Sequence, residues 1–235
     1  MPSLRARRSL LIAAFTFLLP ASLLAQSPDQ KPPRQTWLQR FIGIKPDLSG
    51  GWLFVGFKSD SRDGLYFAVS KDGYRWETIN FDRPVLWQQQ RGELMRDPLI
   101  QRAPDGSFRL RWTWSQGSPA LLGYSTSTDL IHWSKQLQLP EPQAPSARMT
   151  QMTQTGPEGA AVIQVAGGYL SYHETSGDPQ HYVADFSADR QHWSDASSQI
   201  VFPSGLRHGS ILRLETSEYN LLLNYHGAYD SAFDK

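Results

Sequence analysis

The stretch Ser70-Lys-Asp72-Gly-Tyr-Arg-Trp76 returns as Ser127-Thr-Asp129-Leu-Ile-His-Trp133 and as Ser187-Ala-Asp189-Arg-Gln-His-Trp193. Each copy places Asp two residues after Ser, and Trp four residues after Asp. The copies start 57 and 60 residues apart, and a strand-like run precedes every one: Leu65–Ser70, Leu122–Ser127 and Tyr182–Ser187. A period of about 50–60 residues built from short strands constrains the chain to stacked or radially arranged β-units. Within each copy the Asp is suited to cap a turn through nearby backbone N–H groups, and the Trp to pin an outer strand onto its neighbour. The repeat is therefore read as structural.

Ahead of the repeats, Arg5, Arg7 and Arg8 precede an apolar run from Leu10 to Leu19, and small residues follow Pro20 down to Ala25. This pattern predicts a secretory signal peptide over residues 1–25, shorter than a membrane span requires. Residues 26–45 follow as a polar, Pro-rich linker with a short amphipathic segment at Trp37–Ile44, and the β-domain is expected over 46–235. The absence of Cys excludes disulfides, a lipid-anchored Cys and Cys-based metal sites, and suits a periplasmic or secreted location. With 23 Lys and Arg against 22 Asp and Glu, and the basic residues scattered, nothing marks a nucleic-acid partner. No membrane partner is expected once the leader is cleaved. Eight Trp and nine Tyr suit strands and carbohydrate stacking alike.

The strand pattern begins at Trp52–Phe57 and Gly64–Ser70. A second unit opens at Arg96-Asp97-Pro98, turns at Pro104-Asp-Gly106 and continues through Ser107–Trp114 and Leu121–Ser127. A third opens at Glu158 and continues through Tyr169–Glu174 and His181–Ser187, and a fourth opening strand is His208–Leu214. Thr216–Leu223 reads as a helical turn capped at Thr216 or Ser217. The predicted class is all-β, a propeller of four-stranded blades.

In a propeller, the first strand of each blade lines the central channel. Asp97, Glu158 and His208 all stand at the start of such a strand, so three ionisable groups from separate units converge on one axial pocket. Taken singly, each has a bland reading: Asp before Pro forms turns, Glu before Gly sits in loops, and a lone His is commonly structural. Two carboxylates facing across a pocket are what cleavage of a glycosidic bond requires, one as acid and one activating water. Arg96 or Arg207 would supply a cation to keep one of them ionised. The adjacent His173 and Glu174 point to opposite faces of a strand and read as a solvent-exposed pair. Gly-rich phosphate loops and Gly-x-Ser-x-Gly elbows are missing from the sequence.

An ordered set of motifs carries a family resemblance. It comprises Leu53-Phe-Val-Gly-Phe, Tyr66 to Trp76, Arg96-Asp-Pro-Leu-Ile with Pro104-Asp-Gly, Ser127 to Trp133, Glu158-Gly, His192-Trp-Ser-Asp, Phe202-Pro-Ser-Gly-Leu-Arg-His-Gly-Ser and Ser217-Glu-Tyr. Together they resemble the five-bladed propeller glycosidases of glycoside hydrolase family 43, of the arabinofuranosidase and xylosidase type. The resemblance implies Asp97 as general base and Glu158 as general acid, with Ala160 where the family has Pro. It implies Arg96, Arg207 and His208 as substrate-binding residues, His208 being similar to an axial His that organises water or a metal ion. An inverting reaction is implied on arabinose-, xylose- or galactose-containing oligosaccharides or polysaccharides, with carboxyls about 6.5–9.5 Å apart. No cofactor is required by it, although it leaves room for a structural calcium ion. Ring closure is implied too, the last strand joining the N-terminal strands in one blade. Counted that way there are about three blades, and the connector Glu141–Thr155 lacks the Asp that tunes the acid in the family. A shortened derivative, an incomplete sequence or assembly with another copy would each give that count. The alternative to hydrolysis is a non-catalytic or degenerate glycan-binding propeller.

Overall fold

The computed structural model describes residues 48–58, 63–89, 93–115, 121–140, 154–155, 161–176 and 181–227. The predicted leader, the linker with Trp37–Ile44, most of the Glu141–Thr155 connector and Glu158 lie outside the described residues.

Three antiparallel sheets account for the strands. The first carries β1 (Gly51–Phe57), β2 (Gly64–Ser70) and β3 (Trp76–Thr78), with a short β4 (Leu86–Trp87) also pairing β2. The second is β5 (Arg96–Arg102), β6 (Phe108–Ser115), β7 (Leu121–Ser127) and β8 (Leu137–Pro140) in sequential order. The third holds β9 (Gln154–Thr155), β10 (Ala161–Val165), β11 (Gly168–Glu174), β12 (Tyr182–Ser187) and β13 (Ser194–Asp195). The last strand, β14 (Arg207–Leu214), returns to pair with β1, so the first sheet reads β14-β1-β2-β3. Three blade-like sheets and closure by the final strand are what the repeat and the resemblance led us to expect.

The first sheet lies between the other two, and the sequence of β1 shows why. Leu53, Val55 and Phe57 pack with Ile100, Leu110 and Trp112 of the second sheet. Trp52 and Phe54 turn the other way and pack with Ile163, Leu170 and Tyr172 of the third. Alternate residues face opposite cores, so both faces are buried and the strand is one unbroken apolar run.

The three Ser-Asp-Trp copies form the turns that follow β2, β7 and β12. Asp72 Oδ1 accepts the backbone N–H groups of Tyr74 and Arg75, Asp129 Oδ1 those of Ile131 and His132, and Asp189 Oδ1 those of Gln191 and His192. The residue after the Asp takes a left-handed conformation every time: Gly73 (φ 83°), Leu130 (φ 69°) and Arg190 (φ 64°). Trp76 and Trp133 each donate their indole N–H back to that residue's carbonyl, at 3.2 and 3.1 Å. Burial works against ionisation of Asp129, but bonds from His132 and two backbone amides outweigh it and hold the carboxyl well below the usual range. Asp189 is held low chiefly by His192.

A helix, α1 (Thr216–Leu223), follows β14, and its cap is Glu215, not Thr216 or Ser217 as the sequence pattern suggested. The Glu218 carboxylate accepts the Glu215 N–H at 2.8 Å and takes a two-pronged bond from Arg102 at the end of β5, both arms 2.7 Å. Burial opposes the charge on Glu218, yet these donors hold its pKa below the ordinary value. Because the folded-state pKa is depressed, the stabilisation is complete above the unfolded value of about 4.3 and fades as pH falls through the folded one. Glu218→Gln is expected to cost about 1.5–3 kcal/mol near neutral pH. Thermal melts should show the wild-type advantage shrinking below about pH 4; an advantage independent of pH would contradict this account.

Candidate functional site

Two β-bulges build the site. Along β5, Arg96 pairs with Thr113 and Leu99 with Arg111, so Asp97 and Pro98 together oppose one residue of β6. Along β14, Ser210 pairs with Val55 and Arg207 with Phe57, so His208 and Gly209 oppose one residue of β1. Both bulges contain a non-glycine residue at positive φ, Asp97 at 50° and His208 at 42°. A bulge inserts a residue, bends the strand and re-aims a side chain, which is why bulges collect beside functional sites. Here Asp97 and His208 occupy the same place in two sheets and meet, with Asp97 Oδ1 3.7 Å from His208 Nδ1. The two strands are joined just beyond, where Ile100 N–H donates to Ser210 Oγ at 2.9 Å.

A bulge also frees backbone donors, and the third sheet supplies their acceptors. The His208 N–H donates to Glu174 Oε1, and the Gly209 N–H donates to the Tyr182 hydroxyl at 2.9 Å. Gly209 is required by crowding: a Cβ there would lie 2.0 Å from Phe54 Cζ and 2.4 Å from the Val55 carbonyl oxygen. The His208 ring stacks on Phe57 with centroids 5.8 Å apart and planes 13° from parallel. Its other nitrogen, Nε2, faces Glu174 Oε2 at 3.5 Å. One imidazole thus stands between two carboxylates from two other sheets. Burial, with the Glu174 and Asp97 carboxylates nearby, keeps the Tyr182 phenol far above its usual pKa and hence neutral.

Asp97 is half exposed, and Thr113 Oγ1 approaches its Oδ2 at 3.5 Å. Arg96 and Arg207, both half-buried, immediately precede the two bulge residues. Arg207 Nε is buried without a hydrogen-bond partner among the described residues. His208, supplied by the strand that closes the first sheet, sets a basic group against Asp97.

Glu174 corrects the sequence reading. It and His173 do point to opposite faces, but only His173 is exposed, 4.0 Å from Asp185. The Glu174 side chain is 14% exposed and turns inward to His208. The signal available was its position, at the end of β11 beside the start of β10, which a hairpin brings to the same end of the sheet. As for the metal expectation, calcium takes six to eight oxygen ligands, whereas Asp97 and Glu174 address opposite edges of one ring. Among the described residues no group of three or more His, Asp or Glu could hold a metal ion.

Residues 47–155 match a glycosyl hydrolase 43-related family, described as a probable glycosyl hydrolase domain. The chain is thus similar, over that stretch, to the family 43 glycosidases its motifs resemble. Among solved structures, a glycosyl hydrolase from Bacteroides ovatus is 21% identical, with 67% of this chain and 48% of that one covered and a TM-score of 0.31. For a putative glycoside hydrolase from Parabacteroides distasonis the identity is 19%, the coverage 70% and 49%, and the TM-score 0.33. A β-1,3-galactosidase of glycoside hydrolase family 43 gives 12% identity, 61% and 31% coverage, and a TM-score of 0.30. The chain spans about half or less of the length of these three structures. No curated protein sequence matches it.

Proposed function

We propose that this protein is a glycoside hydrolase of periplasmic or secreted location, exported by residues 1–25 and joined to its β-domain through residues 26–45. It acts on arabinose-, xylose- or galactose-containing glycans by inversion. The observation that carries this reading is Asp97: a half-exposed carboxylate, presented on a bulge and backed by His208 at 3.7 Å, within the stretch that matches a glycosyl hydrolase domain. As general base, Asp97 accepts a proton from the attacking water, which its exposure allows water to reach. Glu158, at the head of the third unit, protonates the departing glycosidic oxygen. His208 supports the floor of the site, and Arg96 and Arg207 bind sugar hydroxyls.

The full chain incubated with aryl arabinofuranosides, xylosides and galactosides, and with the corresponding polysaccharides, should release free sugar of inverted anomeric configuration. Glu158→Gln should reduce cleavage of polysaccharide by about 10²- to 10⁴-fold. It should spare aryl substrates with good leaving groups, which need little protonation. Full activity of this variant on a cleaved polysaccharide would remove Glu158 from the acid role. The second reading, a non-catalytic glycan-binding propeller, is favoured by the connector Glu141–Thr155, which contains no Asp to tune an acid. Oligosaccharide binding without product on long incubation would select it.

A further inference from the structure

We propose that Glu174 is a positioning residue for Asp97: acting through His208, it sets which ring nitrogen is presented to that carboxylate. The inference rests on the hydrolase reading for its catalytic consequence, but its structural content stands separately. Glu174 reaches His208 twice, with Oε1 accepting the backbone N–H and Oε2 lying 3.5 Å from ring Nε2. Oε2 is buried and has no hydrogen-bond partner among the described residues. A carboxylate oxygen can only accept, and a buried one is costly to leave unmatched; beside the Tyr182 hydroxyl, which also bonds to the Glu174 carboxylate, the donor that faces Oε2 is an Nε2–H. Face-on, Phe57 fixes the plane of the ring. With the plane set by Phe57 and one edge committed to Glu174, only Nδ1 remains, and it faces Asp97 Oδ1 at 3.7 Å.

This arrangement separates two jobs that one carboxylate performs. Oε1 holds the bulge, a structural task that a neutral amide oxygen does nearly as well. Oε2 orients the imidazole, a task that needs an acceptor with no competing N–H. Glu174→Gln divides them, because its amide keeps a carbonyl oxygen for the backbone but offers no second acceptor. Were Glu174 only a bulge clamp, the ring would be indifferent to this change.

The test uses the full chain labelled with ¹⁵N at histidine, with the His208 ring signals assigned by their loss in His208→Gln. Wild type should show the protonated-nitrogen signature at Nε2. Glu174→Gln should shift or exchange the two ring-nitrogen signals while its melting temperature stays close to wild type. On a cleaved substrate its kcat should fall at least 10-fold with KM unchanged, as expected when a His loses the partner that orients it. Glu174→Asp, which keeps the charge but shortens the reach by one methylene, should displace the same ring signals if the Gln variant fails to fold. His208 ring signals identical to wild type in a folded variant would overturn the proposal. If wild type cleaves no glycoside, the ring signals still decide the positioning role, and it is the hydrolase reading that falls.

Discussion

Asp97→Asn is expected to lower glycoside hydrolysis by about 10²- to 10⁴-fold, the range over which a positioned general base contributes. The amide is isosteric with the carboxylate but takes no proton from water. Little stability should be lost with it. The Asp97 side chain is 54% exposed, its link to Thr113 is 3.5 Å long, and its approach to His208 is 3.7 Å. A half-exposed pair of this kind contributes about 0–1 kcal/mol. The left-handed φ of 50° suits Asn as well as Asp, so the bulge should survive. Activity and stability should therefore part company: a near wild-type melt with hydrolysis almost gone. Equal hydrolysis rates for the two proteins would remove Asp97 from the chemistry.

The largest effect on stability should come from Trp112→Ala, at about 3–5 kcal/mol. Trp112 is 1% exposed and lies in the core between the first and second sheets, stacked against Trp114 at 6.0 Å between ring centroids. The neighbouring strand leaves room for it through one glycine. A Cβ on Gly123 would sit 2.0 Å from Trp112 Cε2, with two further indole atoms within 2.4 Å. Gly123→Ala alone should thus cost about 1–3 kcal/mol by overpacking. The two changes should not add. Once the indole is gone, the new methyl enters vacated space, so the double variant should be more stable than the sum predicts by about 0.5–3 kcal/mol. Denaturant titration of the four proteins closes this cycle. Strict additivity would mean that the indole and residue 123 do not compete for the same volume.

The repeat was enough to place the blades, because a Ser-Asp-Trp turn is a local structure written in local residues. Asp and Ser satisfy amides within three residues, and the fourth position turns left-handed whether Gly, Leu or Arg fills it. The equivalence of Asp97 and His208 followed from counting inward from those turns. What could not be read was the bulge beneath each, since a bulge is a mismatch between two strands and exists only once their register is known. Glu174 escaped for a related reason. Period-two alternation separated it from His173, but which face is buried depends on the sheet laid against it. The helix cap was misplaced by the weight that Thr and Ser carry as capping residues, although Glu218, three residues after Glu215, already marked the actual start. Glu158 lies outside the described residues; its place at the head of the third unit came from the repeat and its acid role from the family resemblance.

The return of β14 to β1 has a consequence for how the protein comes to be assembled. Gly51 to Val55 find their partners in Leu214 to Ser210, at the far end of the described chain. Until those residues arrive, β1 is an edge strand of almost wholly apolar sequence, the kind of edge that pairs with other chains. His208 and Gly209 travel on the same late strand, so the site cannot form before the first sheet is sealed. Folding speed should accordingly be governed by one long-range closure and not by the local turns, which are ready early. A chain stopped short of β14 would lack the imidazole and carry a sticky edge at once, leaving no half-made form with a working site.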